Sequence, residues 1–259
     1  MNDPAAGSDP WSGLRSATRA RVGLGRSGDA LPTSRVLELA ADHALARDAV
    51  HDALDVAAIL GALAVQEISH GPVVASAAAN RATYLQRPDL GRRLAGDANV
   101  LEPGAYDLAV VLADGLSARA VHAHAVPLVE VLLPLLGDWD VAPVVVATQA
   151  RVALGDEVAQ RLGARCVLVL LGERPGLSAP DSLGAYLTWD PRPGRRDSER
   201  NCVSNIRPPH GLALDTAART LAGLLHAARR RQLSGVALKD DGPALGTSAK
   251  QTRTISTPG

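Results

Sequence analysis

The sequence predicts an α/β fold, and three observations carry the prediction. Three short runs, 107–113, 144–147 and 166–171, are almost wholly apolar, as strands covered on both faces must be. Segments with apolar residues at helical spacing separate them. The resulting order, strand, helix, strand, helix, strand, is that of parallel strands joined by right-handed crossovers. The expected architecture is therefore a Rossmann-like parallel sheet flanked by helices, with a helical N-terminal extension.

Each element has a local reason. Residues 1–14 are rich in Asp, Pro, Gly and Ser and read as a disordered tail. Residues 15–100 read as an N-terminal helical and docking region. In it, Thr33 and Ser34 offer caps after Pro32, and Val36, Leu37, Ala40, Ala41, Ala44 and Leu45 recur at helical spacing. Val73-Val74-Ala75-Ser76 is a strand candidate, and Pro88 sits where a loop turns into a helix. Residues 101–237 hold the α/β unit. Its first strand ends in Asp114-Gly115-Leu116-Ser117, with Ser117 placed to cap an apolar helix that Pro127 and Pro134 should kink or split. The second strand ends in Thr148-Gln149-Ala150-Arg151, and a helix follows from about Asp156 to Leu162, stopping near Gly163. The third ends in Gly172-Glu173-Arg174-Pro175-Gly176. The last helix carries the apolar stripe Leu214, Ala217, Ala218, Leu221, Leu224, Leu225 and Ala228. Asp215 lies near its start and Arg229, Arg230 and Arg231 near its end, as the helix dipole favours. Residues 238–259 form a polar tail without periodicity.

Composition excludes classes. Lys+Arg and Asp+Glu both number 27, so the formal charge of +0 lacks the basic excess of a nucleic-acid binder. No apolar run reaches the roughly 18 uncharged residues of a membrane span. The start of the chain has no basic region followed by an apolar stretch, and two cysteines, Cys166 and Cys202, make no secreted disulfide framework. An intracellular chain with reduced thiols is expected. With no Phe, three Trp and three Tyr, Ala, Leu and Val must fill the core. That aromatic poverty also predicts a ligand held by backbone, carboxylate and aliphatic contacts rather than by stacking.

Most motif matches fail on context. Gly23-Leu24-Gly25-Arg26-Ser27-Gly28 spells a dinucleotide fingerprint, but the preceding Arg15–Arg21 stretch is too polar for a buried strand, and the next helix starts only after Pro32. Neither Gly115-Leu116-Ser117 nor Gly176-Leu177-Ser178 completes a nucleophile elbow. His122 and His124 are two apart and face different ways on a helix, while His43 and His51 lack a third ligand, so no metal site is expected. The loops after the three strands are more informative, because ligands of open parallel sheets bind outside the strands' carboxyl ends. Those loops gather Asp114, Arg151, Val152, Glu173, Arg174 and several glycines on one rim. The same residues also read as a surface pair, Glu173–Arg174, beside an ordinary Pro175-Gly176 turn. Cys202, in the polar loop Glu199–Ile206, reads as a packing residue.

The segments Ala20–Gly28, Asp42–Val50, Tyr84–Leu94 and Asp114–Ala118 resemble the small (light) subunit of ethanolamine ammonia-lyase. So, most specifically, do Gly172–Leu177 and Cys202–Ile206; the similarity runs over roughly residues 15–237. The resemblance implies one part of an adenosylcobalamin-dependent, higher-order hetero-oligomer that converts ethanolamine to acetaldehyde and ammonia. A separate large (heavy) subunit holds the substrate, and the small subunit contacts the cobalamin at the interface, with no activity alone. It implies Val152, Glu173 and Cys202 as cofactor-binding residues, and no catalytic residue, metal ligand, nucleic acid or membrane partner for this chain. No Asp-x-His-x-x-Gly is present, which fits a cofactor that keeps its own base on cobalt. Some members of that family carry an N-terminal amphipathic segment for encapsulation in a bacterial microcompartment. Pro4, Gly7, Pro10 and Gly13 oppose such a helix, so the expected location is cytoplasmic, with encapsulation left open. A stand-alone nucleotide-binding domain and a non-enzymatic scaffold remain the alternatives.

Overall fold

A computed structural model describes residues 9–18, 20–96 and 100–239. The helices are α1 (Ser12–Ala17), α2 (Thr33–His51), α3 (Val56–Val65), α4 (Arg81–Gln86), α5 (Ala118–Leu132), α6 (Leu154–Leu162) and α7 (Leu214–Arg231). The strands are β1 (His70–Ala75), β2 (Leu108–Ala113), β3 (Val144–Thr148), β4 (Cys166–Gly172), β5 (Leu183–Trp189) and β6 (Arg200–Ile206). They form one six-stranded sheet in the order β1-β3-β2-β4-β5-β6. The fold is mixed α/β.

The all-parallel expectation needs correction. The strands β1, β3, β2 and β4 run parallel, but β5 and β6 are added antiparallel beyond β4. Neither addition is a continuous apolar run: β5 carries Gly184, Tyr186 and Thr188, and β6, at the sheet edge, is mostly polar. Of the β6 sequence Arg-Asn-Cys-Val-Ser-Asn-Ile only Arg200, Val203 and Ile206 are buried, and Cys202 lies on this strand rather than in a loop. Of the tails, α1 begins at Ser12, inside the stretch read as irregular, while residues 240–259 lie outside the described residues.

Two cores sandwich the sheet, and strand alternation sorts residues between them. Along β2, Leu108, Val110 and Leu112 join the core under α3, α5 and α7, while Ala109, Val111 and Ala113 join the core under α6. On β4, buried Cys166 shares the first core with Leu168 and Leu170; burial pushes its thiol pKa up, so it is an inert packing group. Ser117 caps α5, its Oγ accepting from the Ala120 amide at 3.3 Å. Pro127 lies inside α5 without dividing it, and a 3-10 turn containing Pro134 follows. The stretch Ala118–Leu135 has the length and mean hydropathy, 1.2, of a membrane span, but half of it is buried in this core. Gly163 ends α6 in the left-handed region at φ +73°, and α7 ends at Gln232.

Candidate functional site

The parallel strands end on one rim, and three backbone locks hold that rim together. Asp114, 2% exposed, accepts from the amides of Gln149 and Ala150, both at 2.9 Å, which ties the loop after β2 to the loop after β3. Burial raises its pKa, opposed by those two amides and by Arg81. Gly115, at φ +55°, lets its loop press on Gly172: a Cβ there would come within 2.2 Å of the Gly172 carbonyl oxygen. The Leu116 amide donates to that same oxygen at 2.8 Å. The Arg151 amide donates to the Gly91 carbonyl at 2.8 Å, bringing in the segment after α4. Asp114 thus anchors loops and is not offered to a ligand, which corrects its place among the rim carboxylates.

Above these locks lies a cleft of about 550 Å³. Val152, Glu173 and Cys202, from three separate elements, all line it, together with Leu116, Ala153 and Leu171 as apolar wall. The sequence reading of Cys202 as a packing residue fails here. It is exposed on β6, opposite Tyr186 of β5 in the antiparallel register. Partial burial of the thiol, with the charge of Glu173, raises its pKa, so it stays a neutral thiol near pH 7. The Tyr186 hydroxyl is itself shifted up, first by burial and then by Cys202 and Glu173.

Glu173 is held at one oxygen and open at the other. Its Oε2 accepts from the Ser182 hydroxyl at 2.5 Å and the Asn205 amide at 3.3 Å. Among the described residues Oε1 accepts no hydrogen bond, and Gly184 leaves it space, since a Cβ there would approach it to 2.9 Å. Glu173 forms no ion pair with Arg174, so the surface-pair reading does not apply, while Gly176 and Ala179 do close the turn expected after Pro175. Behind the wall, Arg200 and Asp156 form a buried bidentate pair, Nη1–Oδ1 2.6 Å and Nη2–Oδ2 2.5 Å, with Thr188 Oγ1 also accepting from Arg200 at 2.7 Å.

Six lining residues escaped sequence reasoning: Tyr84, Arg92, Ala153, Tyr186, Asp197 and Arg200. Two of the three tyrosines face the cleft, so aromatic scarcity in the chain does not hold at the site. The Tyr84 hydroxyl donates to the Ala150 carbonyl at 3.1 Å. Burial, with the charge of Asp114, pushes its pKa up to about 12, against Arg151 and Arg81. Both guanidinium groups stack on its ring at 4.9 Å from the centroid. Gly91 makes room for the ring; a Cβ there would meet it at 2.8 Å. Tyr186 had no usable signal, because its strand was missed.

The Gly23–Gly28 segment has neither a strand before it nor a helix directly after it. Gly23 instead packs on Trp11, where a Cβ would fall 2.1 Å from the indole. Among the described residues no group of three His, Cys, Asp or Glu side chains comes together as a metal-ligand set.

The family model described as ethanolamine ammonia-lyase light chain matches residues 8–239. A protein named ethanolamine ammonia-lyase small subunit from Rhodococcus erythropolis is 47% identical over 248 residues, covering 95% of this chain and 96% of its own. A Bradyrhizobium diazoefficiens protein of the same name is 54% identical over 255 residues, covering 93% and 94%. One from Xanthomonas campestris is 52% identical over 250 residues, covering 92% and 91%.

Proposed function

This chain belongs to the ethanolamine ammonia-lyase light-chain family, and from that premise we propose that it is the cofactor-contacting small subunit of a lyase complex. The complex binds adenosylcobalamin at the junction with a large subunit and converts ethanolamine to acetaldehyde and ammonia. When bound, the cofactor supplies a cobalt–carbon bond that can open homolytically; the protein supplies placement and exclusion of water.

The observation that carries the reading is the convergence of Val152, Glu173 and Cys202 on one cleft. The donor set fits a corrin edge, which is apolar between neutral amides. Glu173 Oε1 is free to accept an amide N–H, and Leu116, Val152, Ala153 and Leu171 offer aliphatic contact. The buried Nε of Arg151, a residue of the cleft wall, lacks a partner among the described residues, as expected where a polar ligand completes the wall. A cleft of about 550 Å³ does not by itself enclose a corrin with its nucleotide tail, which suits a site shared with a second chain.

Within this reading, the Rossmann-like description applies to β1–β4 and their helices, and residues 101–237 form the cofactor-contacting unit. Residues 15–100 form the docking region for the large subunit, the complex is a higher-order hetero-oligomer, and it works in the cytoplasm. The exposed apolar side chains of α2 support the docking role. The test is reconstitution. The purified chain alone should not deaminate ethanolamine, and activity should appear on adding the large subunit and adenosylcobalamin. A correctly assembled pair that stays inactive overturns the proposal.

A further inference from the structure

Most arginines of the described chain face a carboxylate, as Arg81 faces Asp114 and Arg200 faces Asp156. Three that line the cleft do not. Arg92, Arg151 and Arg174 form no ion pair among the described residues, although all three border the same space. Arg151 is held in place rather than free to seek a partner in solvent. Its guanidinium stacks on Tyr84, and its backbone amide is bonded to Gly91, next to Arg92. Its Nε is buried without an acceptor, an expensive omission unless a ligand provides one.

The carboxylates of the cleft do not neutralise these groups. Glu173 is engaged through Oε2 by Ser182 and Asn205. Asp197, 93% exposed at its side chain, lies 3.9 Å from Arg200 Nε. An apolar-walled cleft with unpaired cations concentrates positive potential at its mouth. Guanidinium groups arriving from separate loops, after β3, after β4 and beside α4, suit a tetrahedral oxyanion, which presents acceptors in several directions.

We propose that Arg151 and Arg174, with Arg92 at the outer lip, form a phosphate subsite that binds the phosphodiester in the nucleotide tail of the corrinoid. The inference rests on the corrinoid reading above. Around the ring the acylamide side chains are neutral, so the phosphodiester is the anion these arginines can reach. Glu173 and Val152 then hold the corrin edge, and the arginines hold the tail.

The test compares cyanocobalamin with cobinamide, which lacks the nucleotide and its phosphodiester, by equilibrium binding to the complex reconstituted with the large subunit. Arg174→Gln, exposed and outside the core, should weaken cyanocobalamin binding about tenfold or more, while cobinamide binding stays unchanged. Arg151→Gln should do the same and more, with its fold checked by subunit association. Equal weakening of both corrinoids, or no weakening of either, overturns the subsite while leaving the corrinoid reading intact. Wild-type complex that binds neither corrinoid overturns both. Added ATP tests the other source of a phosphate: if it binds the arginines of the isolated chain and displaces no corrinoid, the subsite belongs to a free nucleotide and the proposal fails.

Discussion

The two longest helices have opposite relations to the rest of the protein. In α7, an 18-residue helix, seven residues are buried: Ala217, Ala218, Leu221, Ala222, Leu224, Leu225 and Ala228. In α2, a 19-residue helix, only Ala49 is buried, and Val36, Leu37, Leu39 and Leu45 are exposed. The tethers of α2 are polar. Arg21 bonds to Asp42, Asp52 beyond its end bonds to Arg119, and Arg81 Nε donates to the Val50 carbonyl at 2.7 Å. Exposed apolar side chains gain nothing from their own chain, so α7 is part of the core, while Val36, Leu37, Leu39 and Leu45 are spread around α2 and leave it a surface helix held by polar tethers. The rim cleft lies between these extremes, with locked backbone beneath and open side chains above.

Four substitutions test that contrast. Asp156→Ala should have the largest effect. It strands the Arg200 charge, whose side chain is 3% exposed, and should cost about 3–5 kcal/mol in chemical denaturation of the isolated chain. A small loss would mean that water or relaxation solvates the arginine. Leu225→Ala, fully buried in α7, should cost about 2–5 kcal/mol by the same measurement. At the rim, Glu173→Gln should leave stability and subunit association intact. It should weaken cobalamin binding by the reconstituted complex about tenfold, since the carboxylate is a stronger acceptor than an amide. An unchanged dissociation constant would remove Glu173 from the site. The smallest effect on folding belongs to Leu37→Asp, 64% exposed in α2, which should change stability by no more than about 0.5 kcal/mol. The same variant should weaken association with the large subunit, measured by mass on co-expressed chains. Full association would show that α2 is not the docking face.

The legible parts of the fold were those whose stability is written locally. The apolar runs of β2, β3 and β4, the Ser117 cap, the Gly163 stop and the stripe of α7 each declare themselves within a few residues. The antiparallel β5 and β6 do not, because Gly184, Tyr186 and Thr188 interrupt the apolar run of β5, β6 buries only Arg200, Val203 and Ile206, and both depend on a neighbour already in place. The site followed the same division. Val152 and Glu173 were on the rim by topology, since they follow strands that were recognised. Cys202 came from resemblance alone, and Tyr186 came from neither, because both belong to the missed pair of strands. Asp114 was misread, as its carboxylate is consumed by two backbone amides from another loop.

By itself, then, the sequence determined the parallel centre of the sheet, the covering helices α5, α6 and α7, though not α3, and the family to which the chain belongs. Periodicity, capping and motif spacing are local properties that survive without coordinates. Tertiary structure alone decided which rim residues are structural and which are open, and it assembled the cleft from Tyr84, Arg151, Glu173, Tyr186 and Cys202. Those positions are as much as 118 residues apart, and hydrogen-bond acceptance is a competition settled only when all partners are present. Among the described residues Glu173 keeps a free oxygen and Asp114 does not, a difference fixed by strand pairing and loop contact rather than by either residue's neighbours in the chain.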